Sequence, residues 1–166
     1  MTRQIRAATA HHEAGHAIAA IHYNVRFEKV TIKPDEVSAG HVMLMGRARG
    51  MAQMHARGVI ALAGEAAQRR FNSRSVRLHH AVGDRDAVIT YAEANCGSAR
   101  QMQALVNLWQ VQAEEVVEMR WPEIARVAAA LLDQQTLSHV DVRDLMFGAL
   151  RPHPALDLKD RTAAAP

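Results

Sequence analysis

Ile5, Ala8, His12, His16, Ala19 and Tyr23 recur at intervals of three and four, so residues 3–23 are predicted to form one helix. One face of that helix carries two histidines among apolar groups, and such a face has to be covered by other elements. The cover must be mostly small and aliphatic, because aromatic residues make up only 4% of the chain while alanine is abundant. That composition argues for packed helices rather than a β-sandwich. The 166 residues suit one domain with a proper core. With 49% hydrophobic and 22% charged residues, wholesale disorder is excluded.

Asn24 is a plausible stop for the first helix. Residues 27–33 alternate and are rich in β-formers, Pro34 closes them, 34–40 is turn-like, and 41–45 can return as a second strand. Residues 51–71 read as a second helix, with Met54, Gly58, Ile60, Ala61 and Ala67 as packing positions. After a loop over 72–83, a third helix runs over 84–95 and is ended by Cys96-Gly97. Ser98 caps a fourth helix to about residue 120, and Pro122 suits the first turn of a fifth, to 134. Ser138 with Asp141 three residues later opens a sixth, closed by Gly148. The expectation is a mainly α fold: about six helices with a small two-stranded β-ribbon, one domain over 1–150, and a mobile tail over 151–166.

Several function classes drop out. There is no GxxxxGK[ST] phosphate loop, and no apolar run long enough to span a bilayer. The start of the chain lacks the apolar core of a signal peptide, so a cytoplasmic location without membrane contact is expected. Cys96 is the only cysteine, which excludes an internal disulfide and a cysteine-cluster metal site. The net charge of +3 is too small to be more than a weak hint of an anionic partner.

The informative segment is His12-Glu13-Ala14-Gly15-His16, an HExxH on a predicted helix. Spacing i, i+4 puts both imidazoles on one face, where both can reach one zinc ion at about 2.0–2.1 Å. Zinc lowers the pKa of a water in its open position to about 7, and Glu13, beside that face, can take the proton. Such a site needs a third protein ligand. Asp84 is the first choice because it follows Gly83 and starts a helix, although a plain N-cap would use the same position. Asp86, His79, His80 and Glu65 are the rivals.

Beyond the motif, the order of further segments resembles the peptidase domain of the FtsH-type AAA zinc proteases. Lys29-Val30-Thr31-Ile32-Lys33-Pro34 is similar to that family's Val-Thr-Ile-x-Pro strand, and Ala39-Gly40-His41-Val42 to its return strand. Ala63-Gly64-Glu65-Ala66-Ala67 resembles its Gly-Gly-Arg-Ala-Ala helix, and Gly83-Asp84 its Asn-Asp segment. Leu131-Leu132-Asp133-Gln134-Gln135-Thr136-Leu137 resembles its closing Leu-Leu-x-x-x-Thr-Leu. The resemblance spans about residues 8–147 and implies a helical array with a small β-ribbon. It also implies His12, His16 and Asp84 as zinc ligands and Glu13 as general base. The implied substrate is polypeptide, unfolded or flexible, bound as an extended strand beside the site.

The departures are specific. Glu65 stands for the family's Arg, Gln68-Arg69 for a Glu-Glu pair, and Val88 for an Ala. With the motif starting at residue 12, neither the family's membrane anchor nor its ATPase module is expected here. The expected protein partners, besides substrate, are therefore a separate ATPase or further copies of this chain as a homo-oligomer, and unfolding of stable clients would fall to a separate ATPase.

Other residues have plainer expectations. His11 and His22 read as surface, the methionines as core filling, Trp109 and Trp121 as packing anchors, and Arg69, Arg70, Arg74 and Arg77 as a solvated basic face. Two alternative functions follow from the sequence. One is a non-catalytic binder or adaptor on the same fold. The other is a helical nucleic-acid module over 123–145, disfavoured because Asp141 and Asp144 outnumber Arg143 on its last helix, so no nucleic acid is expected.

Overall fold

A computed structural model describes residues 3–34, 40–75 and 82–148. Helix α1 (Arg3–His22) lies at the centre, with its buried residues running from Ala8 to Ala20. It packs chiefly on α2 (Gly50–Phe71) and α5 (Trp121–Gln134). Helices α3 (Val82–Glu93) and α4 (Ala99–Met119) also pack on α2. A last helix, α6 (His139–Phe147), packs on α5. Among the described residues, no helix is long and apolar enough to cross a membrane.

Small residues let α1 and α2 approach closely. A Cβ added to Gly15 would stand 2.5 Å from the Ala63 carbonyl oxygen and 2.7 Å from the Ala67 Cβ. Each alanine buries little area, so stability here comes from many short-range contacts between closely spaced backbones. Bulk is supplied where α2 meets α4. There the fully buried Trp109 lies flat on Gly58 and donates its indole N–H to His55 Nδ1 at 2.9 Å. The methionines depart from expectation: Met43, Met45, Met51 and Met119 are exposed, and Met146 is buried.

The helix ends follow local chemistry. Asn24 adopts a left-handed φ of 55° and turns the chain out of α1. The Ser98 side chain accepts from Gln101 N–H, capping α4, and Ser138 with Asp141 forms a full capping box on α6.

The sheet corrects the expected two-stranded ribbon. Strands β1 (Phe27–Thr31) and β2 (His41–Leu44) pair antiparallel, with Val30 opposite Val42 and Thr31 opposite His41. A third strand, β3 (Thr136–Ser138), pairs antiparallel with the far side of β1, giving the order β2-β1-β3. Its three residues are too few to show a period of two. What creates β3 is Gln135, whose φ of 64° ends α5 and swings the chain onto β1. The Gln135 carbonyl then accepts from Ile32 N–H at 2.9 Å and from the Thr31 hydroxyl at 3.1 Å. The turn over 35–39 and the tail over 151–166 lie outside the described residues.

Candidate metal centre

Helix α1 carries His12, Glu13 and His16 inward, where they are 7%, 5% and 6% exposed. Polar side chains buried this deeply need partners. The two imidazoles meet edge to face with their Nε2 atoms 3.0 Å apart. Asp84, in the first turn of α3, completes a triangle. Its Oδ2 lies 3.0 Å from His12 Nε2 and 3.3 Å from His16 Nε2. Among the described residues, these three form the group whose ligand atoms gather, all within 4.8 Å of one another.

The outer nitrogens decide what the inner ones can do. His16 Nδ1 lies 2.7 Å from the Ile60 carbonyl, which can only accept, so Nδ1 carries a proton. His12 Nδ1 lies 3.0 Å from Gln68 Oε1. The orientation of that amide follows from its other end, where Nε2 donates to the Ser75 carbonyl at 3.0 Å. With Nδ1 protonated on both rings, each neutral imidazole points an Nε2 lone pair at the other and at the Asp84 carboxylate. Three electron-rich atoms at this spacing require a cation between them, either a proton or a metal.

The proton affinities express the same demand. Burial alone would lower the His16 pKa, but the charge and hydrogen bond of Asp84, then Glu13 and the Ile60 carbonyl, lift it to about 9. Burial alone would raise Asp84, yet His16 and His12 hold its carboxyl far below the usual carboxylate range. The donor set also fits zinc: two imidazole nitrogens and one carboxylate oxygen leave a fourth position open. In a tetrahedral shell of 2.0–2.1 Å bonds, donor atoms sit about 3.3 Å apart. The observed edges are 3.0, 3.0 and 3.3 Å.

Glu13 is arranged differently. Its Oε2 is buried and accepts no hydrogen bond among the described residues. Burial raises its carboxyl above the ordinary value, partly offset by His12, His16 and His41, while Asp84 adds to the rise. Gly40, just ahead of β2, makes room for it, since a Cβ there would stand 2.9 Å from Glu13 Oε1.

The rival ligands are placed elsewhere or not described. Glu65 pairs with Arg69 and, at 3.4 Å, with Arg85. Asp86 is exposed and outside the cluster. His79, His80 and Arg77 lie outside the described residues. His11 is not a plain surface residue: its ring stacks on Phe71 at 3.8 Å and faces Trp121 at 5.6 Å, a contact between residues far apart in the chain.

Sequence reasoning missed the supports of the two histidines. Ile60, Gly64 and Gln68 follow one another at i, i+4 and i+8, so they form one row of α2 facing α1. The Ile60 carbonyl orients His16, Gly64 leaves room for its ring, and Gln68 orients His12. That row was the available signal. Compared with known protein families and with curated proteins, the chain has no match.

Proposed function

We propose that this protein is a zinc-dependent metallopeptidase of the HExxH type, related to the FtsH-type peptidases and acting on flexible polypeptide in the cytoplasm. The observation that carries the reading is the convergence of His12 Nε2, His16 Nε2 and Asp84 Oδ2 beside a buried carboxylate with an unpaired oxygen. A binder has no need of that unpaired oxygen, which costs stability on burial.

His12, His16 and Asp84 would hold the ion. A bound zinc supplies Lewis acidity, lowering the pKa of a water to about 7 and polarising a carbonyl oxygen. Glu13 would take the water's proton at Oε2 as the water oxygen bonds to the carbonyl carbon, and pass it to the amine nitrogen as the C–N bond breaks. Burial raises its carboxyl above the ordinary value, which favours holding the proton between the two steps. Ile60 and Gln68 hold the two imidazoles in the tautomer that leaves Nε2 free for the metal. Strand β2 is an outer strand of the three-stranded sheet and begins next to Gly40, against Glu13. An extended peptide added to that edge would run past the carboxylate.

The test is metal content together with cleavage of casein, for wild type and Glu13→Gln. About one zinc per chain in both proteins, with cleavage lost only in the variant, supports the reading. Equal cleavage by both proteins removes Glu13 from its role, and no metal with no cleavage returns the protein to the binder class.

A further inference from the structure

Gln68 is 5% exposed, and the two ends of its amide meet opposite demands. Oε1 accepts from His12 Nδ1–H at 3.0 Å. Nε2 donates to the Ser75 carbonyl at 3.0 Å and lies 3.3 Å from the Ser75 hydroxyl. A carboxylate at this position would serve His12 but set its second oxygen against the Ser75 carbonyl. A hydrocarbon would serve neither. Only an amide satisfies both sides.

The Ser75 end is itself anchored. Ser75 closes the 3-10 turn Ser73–Ser75, where its N–H donates to the Asn72 carbonyl at 2.9 Å and its hydroxyl to the same oxygen at 2.7 Å. Arg74 N–H donates to Asn72 Oδ1 at 3.1 Å. The next described element is α3, which brings Asp84. The amide therefore joins a histidine of α1 to the turn that opens the segment carrying the third member of the cluster.

We infer that Gln68 is the positioning residue of the metal centre, an amide bridge that sets the ring orientation and tautomer of His12 and couples metal occupancy to the Ser73–Ser75 turn. This rests on the metal-centre reading above. The bridge acts in both directions. A metal on His12 Nε2 makes the Nδ1–H a stronger donor, which tightens Oε1 and with it the amide's grip on Ser75. Loss of the amide frees the imidazole to rotate and leaves the turn without its tie to α2.

The test uses the full chain and Zn2+ as the probe. Gln68→Met keeps the side-chain length and removes both hydrogen bonds. Gln68→Glu keeps the acceptor for His12 and opposes the Ser75 carbonyl. Three quantities are measured: zinc affinity by chelator competition, the visible spectrum of the Co2+-substituted protein, and amide hydrogen exchange over 73–75 with and without zinc. In wild type, zinc is expected to slow exchange over 73–75. In Gln68→Met, affinity is expected to fall about 10–100-fold, with an altered Co2+ spectrum and no zinc effect on exchange. In Gln68→Glu, affinity is expected to stay within about tenfold of wild type while the effect on exchange is lost. Should Gln68→Met fail to fold, Gln68→Glu decides alone. Lost coupling with retained affinity supports the bridge, and retained coupling overturns it. A folded Gln68→Met with wild-type affinity and coupling also overturns the bridge while leaving the metal centre standing. A wild-type protein that takes up no zinc overturns the metal-centre reading itself.

Discussion

Gly64 of α2 lies directly beneath the imidazole of His16, where a Cβ would stand 2.2 Å from Nε2. Backbone of one helix thus forms the floor of a site built on another. Gly64→Ala favours the helix by up to about 1 kcal/mol in isolation. Here the methyl group displaces the ring from Asp84 and His12. Zinc affinity is expected to fall at least about tenfold, the low end for disturbed ligand supports, which chelator competition measures. Circular dichroism should still show a helical protein.

Glu13→Gln should separate stability from activity. Burial raises the Glu13 carboxyl pKa in the fold, so its ionised form opposes folding as pH rises past the ordinary carboxylate range. Replacing it by a neutral amide is expected to raise the melting temperature of the metal-free protein. Cleavage should fall by about 10²–10⁴-fold, the usual contribution of a general base.

Zinc uptake should depend on pH with a definite sign. In the metal-free protein the His16 pKa stands near 9, above its ordinary 6.5, so that imidazole holds a proton that a metal must displace. Apparent affinity is expected to rise about tenfold per pH unit and to level off as pH approaches about 9. Titration calorimetry in two buffers of different ionisation enthalpy counts the released proton. By the same linkage, the His16 contribution to metal-free stability is whole below pH 6.5 and lost as pH rises through about 9.

Asp84→Asn removes the carboxylate that lifts His16 most. The His16 titration, followed by imidazole NMR, is expected to move down from about 9, because burial then prevails. An unchanged His16 titration would mean that Asp84 does not face the histidines in solution.

Much of this was legible in the sequence where the signal was local. The i, i+4 histidines, the Ser138–Asp141 capping box and the turn at Asn24 each depend on a few neighbouring residues. Asp84 could be nominated because it begins a helix, although its meeting with His12 is a contact across 72 positions. What escaped notice was of two kinds. The Ile60 carbonyl orients His16 through an atom every residue has, so no residue type announces it. Strand β3 and the Gln68 amide depend on how α5 and α2 lie against β1 and α1, which is decided by packing of the whole array. His11 was misread for the same reason, since Phe71 and Trp121 come to it from other helices.

The most direct test of the metal centre is zinc-edge X-ray absorption on the purified, zinc-loaded protein. The account predicts one zinc per chain with two imidazole nitrogens and at least one oxygen at about 2.0–2.1 Å. A spectrum with oxygen neighbours alone, or one unchanged when both His12 and His16 are replaced by alanine, would contradict it.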